Sequence, residues 1–227
     1  MSLNIIDFFI PPCTARIPQS PCNVPISPLN SLLDASKVMS YWGANGEIAH
    51  HIERNLENSA EFKNWLKKMP GKTPVALSNY QRLYSGGNIN LNIVNSEIIT
   101  HGALLPHGQV LFHGGHWKNF SSNLKTTRPL ATTFCPQVAM REAEHRAKSY
   151  DNDYIDLIMF RLDHPTTKAF IFKHKGTAMG HEKEVLFATG AKITITKRTP
   201  MNNQYPAGKY GHPEKRIQSF LVEATIS

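Results

Sequence analysis

"GHEKEVLFATGAKITI", residues 180–195, sets Glu182 and Glu184 on either side of Lys183, directly ahead of the apolar run Val185-Leu186-Phe187. Taking an unpaired carboxylate out of water is expensive, so a chain with no use for the pair would leave both acids in a loop. Their place on the threshold of a strand with buried character raises the question of what surrounds them.

Strand signals recur on both sides of this stretch. "QVLFHG" (109–114), "IDLIMFRLD" (155–163), "KAFIFK" (168–173), "EVLFAT" (184–189), "KITITK" (192–197) and "RIQSFLVEATI" (216–226) are short and rich in β-branched and aromatic residues. One helix interrupts them. In "CPQVAMREAEHRAKSY" (135–150), Pro136 suits a first helical turn, and Val138, Ala139, Glu142, Ala143 and Arg146 recur at helical spacing.

Upstream the signals are helical. "NSAEFKNWLKKMPG" (58–71) opens with Asn58 three residues before Glu61, the pattern of a capping box, and Pro70-Gly71 stops it. Phe62, Trp65, Leu66 and Met69 form one apolar face, and Ile48, Ile52 and Leu56 do the same in "GEIAHHIERNLE" (46–57). Residues 11–30 hold Pro11, Pro12, Pro18, Pro21, Pro25 and Pro28 and few large apolar residues, so residues 1–30 read as an extended proline-rich arm outside the core. The expected layout is α+β: a single domain over 31–227, helical over 31–100, then a mostly antiparallel β core over 101–227.

Composition bounds the rest. The chain has 227 residues, 41% of them apolar and 19% charged, enough for a buried core without metals or disulfides. Three cysteines without CxxC spacing, Cys13, Cys22 and Cys135, suit a reducing compartment. The net charge of +8 favours polyanionic partners, but the basic residues are dispersed and Lys67-Lys68 is only a short pair. The start "MSLNIIDFFIPPC" lacks the basic region of a signal peptide, and no stretch reaches membrane-spanning length. A chain made in the cytoplasm is expected, any onward delivery falling to a specialised secretion system.

Three polar positions stand out beside the strand signals. His113 ends "VLFHGG" (110–115), where Gly114 and Gly115 permit close backbone approach. Thr132 and Thr133 in "PLATTFCPQVA" (129–139) precede the inserted helix. The third is the Glu182/Glu184 pair. Each has a plain structural reading: a strand end, a helix cap and a solvated loop. His101, His107, His113 and His116 lie close in sequence, but the region has no HExxH and a loop-like character, so no metal is expected.

In this order the three stretches resemble the mono-ADP-ribosyltransferase toxins and effectors of bacteria and phage, with their Arg, Ser-Thr-Ser and Glu-x-Glu signature. The resemblance spans roughly residues 76–226. "ALSNYQRLYSGGNINLNIV" (76–94) is similar to the helix those toxins carry upstream, "HKGTAMGHEKE" (174–184) to their turn-turn loop, and "LDHPTT" (162–167) to a loop that touches the cofactor.

The resemblance implies a split, mostly antiparallel β core with N-terminal helices, and NAD as substrate. It implies that Glu184 stabilises the oxocarbenium-like transition state as nicotinamide leaves, and that Glu182 orients an acceptor, most characteristically a protein arginine. His113, Gly114, Thr132, Thr133 and Phe134 would hold the cofactor. His113 stands where this class carries Arg; His occurs there in the diphtheria-toxin and poly-ADP-ribose polymerase branch, whose tyrosine-bearing second motif is not found at Thr132-Thr133. A cognate immunity protein is a further partner of such a toxin. Two alternatives share the fold: modification of nucleic acid or NAD glycohydrolysis, and a non-catalytic module with a degenerate NAD pocket.

Overall fold

A computed structural model describes residues 3–16, 26–83, 87–117, 123–174 and 179–227. The helical part comes first: α1 (Leu32–Trp42), α2 (Gly46–Asn58), α3 (Ala60–Lys68), α4 (Val75–Leu83) and α5 (Leu91–His101). The stripes read from sequence face inward. Ile48, Ile52, Leu56, Phe62 and Trp65 are all buried. The cap of α3 differs by one residue from the expected Asn58: Ser59 takes the position, its hydroxyl accepting from Phe62 N at 3.1 Å and donating to Glu61 Oε2 at 3.0 Å. Asn58 instead closes α2, whose last turn leads straight into this cap.

Among the described residues the main sheet has eight strands: β3 (Val110–Gly115), β4 (Asn123–Lys125), β5 (Leu130–Thr133), β6 (Tyr154–Leu162), β7 (Ala169–Ile171), β8 (Glu184–Phe187), β9 (Lys192–Ala207) and β10 (Lys215–Ile226). Their spatial order is β4-β9-β10-β6-β3-β5-β8-β7, and every neighbouring pair is antiparallel except β10 with β6. The α+β layout expected from sequence is therefore the observed one. The inserted helix is shorter than its periodicity suggested. It forms α6 (Pro136–Glu144), then turns through left-handed Arg146 and Ala147 into α7 (Lys148–Asn152).

The sheet divides at one seam. β3 meets β6 over six residue pairs, but it meets β5 at a single pair, Phe112 with Thr133. The His113 side chain adds to this thin junction, its Nδ1 lying 2.8 Å from the Ala131 carbonyl on β5. One face of the larger half carries Leu111, Ile158, Phe160 and Val222 into the main core with the N-terminal helices, while Phe112, Leu157 and Met159 pack with α6 on the other. The close fit of α6 explains Gly114. A Cβ there would lie 1.6 Å from the Ala139 carbonyl oxygen.

The amino-terminal residues depart from the expected arm. Ile6, Phe8, Phe9, Cys13, Ala15 and Leu29 are buried in the main core. β1 (Cys13–Arg16) pairs antiparallel with β2 (Ile26–Leu29), and Ile6 N donates to Gln109 Oε1 at 2.8 Å. Prolines dominate residues 11–30 by count, but the few apolar side chains among them were enough to fix the flanks of the segment against the helices. Pro18, Pro21 and Cys22 lie outside the described residues, while Cys13 and Cys135 are buried free thiols. Among the described residues no helix is long and apolar enough to cross a membrane.

Gly114→Ala tests the seam packing. The added methyl must push α6 off β3, so a loss of about 3 kcal/mol or more is expected from overpacking against rigid backbone. Urea unfolding measures it; an unchanged midpoint would mean that α6 does not press on β3 as described.

Candidate active site

Glu184 is the first residue of β8, the middle strand of the smaller half of the sheet. Its backbone pairs with Thr133 on β5, and its carbonyl accepts from Phe172 N at 3.1 Å just beyond β7. Val185, Leu186 and Phe187 are buried behind it, as the apolar run requires. The residue as a whole is only 7% exposed. Gln81 on α4 donates its side-chain amide to Glu184 Oε2 at 2.9 Å. Burial is the main influence on this group and pushes its pKa up to about 8; the Gln81 bond opposes the rise, while Glu182 and Glu142 add to it.

Glu182 ends a single 3-10 turn over Gly180–Glu182 and is half-buried. Burial again dominates, with repulsion from Glu142 on α6 second, and its pKa rises to about 7. The residue between the acids does not neutralise them. Lys183 adopts a left-handed backbone with φ of 50°, and its ammonium turns to Glu53 Oε1 on α2 at 3.2 Å. The two acids thus share one neighbourhood with a third, Glu142, and the intervening cation is committed elsewhere.

The threonine pair braces the acids through their backbone. Thr132 Oγ1 donates to the Val185 carbonyl at 2.7 Å, and Thr133 Oγ1 donates to the Glu182 carbonyl at 2.7 Å. Thr133 also accepts from Cys135 N at 3.1 Å, so one hydroxyl ties the entry of α6 to the turn that carries Glu182. Gly180 lets this turn close on the preceding strand end. A Cβ there would sit 1.9 Å from the His174 carbonyl oxygen. Residues 175–178 of the expected turn-turn loop lie outside the described residues.

His113 on β3 is held against β5 at Ala131, whose partner on β8 is Leu186, two residues on from Glu184. A carbonyl partner requires a proton on Nδ1, and burial holds the ring below the usual histidine pKa, so the neutral tautomer leaves Nε2 as a lone-pair acceptor. A guanidinium does exist farther along this sheet. Arg198 on β9 stacks 3.3 Å from the Phe220 ring centroid and binds the buried Asp156 through Nη2 at 2.8 Å.

Two expected contributors fall elsewhere. Phe134 is 1% exposed, with ring centroids 5.8 Å from Phe8, 5.6 Å from Phe62 and 5.8 Å from Trp65; it is core and has no face for a cofactor. The loop at 162–167 does not approach the acids. It leads into Ala169, which pairs with Phe187 at the far end of β8, about 10 Å along the strand from Glu184. Asp163 N there donates to the Ile226 carbonyl at 2.9 Å. Gln81 and Glu142 were not singled out from sequence as site residues. A polar residue in the middle of a helix carries no local mark of a partner 103 positions away.

Neither a family model nor a curated protein matches this sequence. Solved structures do. The fold is similar to that of ADP-ribosylating toxins. BECa, an ADP-ribosylating toxin from C. perfringens solved with NADH, shares 13% identity over 79% of this chain and 48% of its own, with a TM-score of 0.44. Plx2a, an ADP-ribosyltransferase toxin from Paenibacillus larvae, shares 10% identity over 74% of this chain and 91% of its own, with a TM-score of 0.43. C2-I, the enzymatic component of the Clostridium botulinum C2 toxin, shares 12% identity over 75% and 46%, with a TM-score of 0.40. The chain thus spans about half the length of C2-I and BECa. At such identities and scores the likeness is one of general architecture, and the chemistry is read from the residues of this chain.

The raised carboxyl pKa values have a measurable consequence for stability. Unfolded glutamates release their protons near pH 4.3, whereas folded Glu182 and Glu184 hold theirs to about 7 and about 8. Across that window the folded state binds more protons, so stability falls as pH rises, by at most about 1.4 kcal/mol per pH unit for each proton. Glu184→Gln is expected to flatten this slope and to be more stable than the parent at pH 8. Equal slopes in chemical denaturation at pH 5 to 8 would place Glu184 in contact with solvent.

Proposed function

We propose that the chain cleaves the nicotinamide–ribose bond of NAD and transfers ADP-ribose to a macromolecular acceptor, with a protein arginine as the preferred one. The observation that carries this reading is the buried, Gln81-held carboxyl of Glu184 beside the half-buried Glu182. Two carboxyls with displaced pKa values, braced by separate hydroxyls, suit a reaction in which one acid faces developing positive charge and the other handles a proton.

In this reading Glu184 accepts a hydrogen bond from the nicotinamide ribose and stabilises the oxocarbenium-like ring as nicotinamide departs. A neutral Glu184 could not do so. The substrate supplies the correction, because the nicotinamide ring of NAD is cationic, and a fixed positive charge entering a poorly solvated site favours the carboxylate. Binding therefore draws the proton off Glu184, and this carboxyl becomes fully charged only when there is a cation to stabilise. His113 Nε2, left unprotonated by the Nδ1 bond at the seam, is a ribose hydroxyl acceptor on the opposite strand.

Glu182 is more exposed than Glu184 and faces Glu142, so a guanidinium arriving there meets two carboxyls. With a pKa near neutrality, Glu182 is suited to take the acceptor proton as the new C–N bond forms at the ribose. The same carboxyls disfavour a phosphate backbone, which supports protein over nucleic acid as the acceptor. Water in the acceptor position gives NAD hydrolysis as the background reaction. Delivery into another cell and neutralisation by an immunity protein would follow from a toxin role and rest on that role alone.

Substitutions at the two acids are expected to have separable effects. Glu184→Gln should lower nicotinamide release on the order of 10² to 10³, with or without acceptor, because it removes the charge while keeping the shape. Glu182→Gln should abolish labelling of protein by ADP-ribose yet keep most of the acceptor-free hydrolysis. Parallel loss of both activities in Glu182→Gln would contradict the division of labour and leave arginine without support.

A further inference from the structure

We infer that His107, Asp163 and His164 form a binding site for a divalent transition-metal ion, zinc being the best fit, at the end of the sheet remote from the carboxyls. The four histidines that cluster in sequence between 101 and 116 do not assemble with one another. His101 pairs with Glu97 at 3.2 Å, His113 is tied into the seam, and His116 packs edge-on against Tyr154. His107 alone turns to the β6–β7 loop, where Asp163 and His164 meet it.

The geometry is close to what an ion needs. His107 Nδ1 lies 3.6 Å from Asp163 Oδ1, and His164 Nε2 lies 4.0 Å from the same oxygen. One donor atom from each of the three residues falls within 4.8 Å of the others, and among the described residues no other such group of histidine, cysteine or acidic side chains occurs. Zinc bonds of about 2.0–2.2 Å in a tetrahedron place donors roughly 3.3–3.5 Å apart, so closing the set requires donor movements of about 1 Å and rotation of the His164 ring out of its 13° stack on His107, since an ion lies in the plane of each imidazole it binds. Exposed side chains make such movements freely, and His164 is 85% exposed.

Two further features suit an ion here. The donor type is right: two imidazoles and one carboxylate are a common zinc set, leaving a fourth position for water, whereas calcium and magnesium prefer all-oxygen sites. The imidazole of His107 is also held with Nδ1 as an acceptor, since His164 N–H donates to it at 3.2 Å. That lone pair is engaged by the amide, so an ion bound at Nδ1 would take the place of this hydrogen bond. His164 itself sits in a left-handed backbone with φ of 41°, uncommon for a non-glycine residue, and this conformation brings its ring to lie 4.3 Å from that of His107.

The ion would clip the turn before β3 to the turn after β6. These turns already exchange backbone bonds, Gly108 N to Leu162 O at 2.8 Å and Leu162 N to Gln109 O at 2.9 Å, so the site tightens an existing junction. None of its three residues belongs to the proposed transfer chemistry, and the role inferred for the ion is structural.

Calorimetric titration of the chelator-treated full chain with zinc chloride tests the proposal. One equivalent bound at micromolar affinity is expected, with a rise in melting temperature. His107→Ala, Asp163→Ala and His164→Ala should each weaken binding at least tenfold, while their metal-free melting temperatures stay near that of the parent. Cobalt substitution adds an independent signature, an intense visible band from a four-coordinate nitrogen–oxygen site. His50→Ala, at an exposed histidine on α2, is the control and should bind as the parent does. Unweakened binding in the triple variant, or no heat of binding at millimolar zinc, would overturn the assignment.

Discussion

An ionised carboxylate at the first residue of a central strand is costly, because the free energy of moving a charge out of water far exceeds what one hydrogen bond returns. The arrangement around Glu184 is what makes the position tolerable. Gln81 supplies one donor, the backbone pairs on both sides, and the side chain retains its proton at neutral pH instead of its charge. A proton held this way is a store of reactivity. On the proposed reading, a cationic ring placed beside the group would make it an anion at the moment the anion is useful.

The rest of the structure can be traced to keeping that residue in register. The smaller half-sheet touches the larger one through a single backbone pair at Phe112 and Thr133, and Thr133 is also the direct partner of Glu184. One threonine therefore connects the seam, the acid-bearing turn and the start of α6. His113 reinforces the junction from the other strand, and the same bond that fixes its ring also decides which of its nitrogens carries the proton. A substitution at the seam would thus change folding as well as any cofactor contact that the proposed function assigns to His113. A clean separation of stability from activity is more readily obtained at Glu182 and Glu184.

Much of this was legible from residue order, and the exceptions have physical causes. Apolar runs and helical stripes located β3, β6, β8, α2 and α3 because burial on one face is a local, periodic property. The acids at 182 and 184 were readable because charged residues abutting such a run are anomalous. Gln81 was not, since a glutamine on a helix looks the same whether it faces water or a carboxyl 103 residues later. Phe134 was misplaced because it directly follows the threonine pair. At the end of β5 the alternation of faces lapses, and its ring joins Phe8, Phe62 and Trp65. The amino-terminal segment looked like an arm because its prolines outnumber its anchors, yet Cys13, Ala15 and Leu29 are buried.

The account turns on one proton. Calorimetry of NAD binding at pH 7, repeated in buffers of different ionisation enthalpy, counts the protons exchanged. If Glu184 is neutral in the free protein and charged beside the nicotinamide ring, close to one proton is released per NAD bound, and Glu184→Gln releases none. Binding that releases no proton in the parent, or the same number in both proteins, would contradict it.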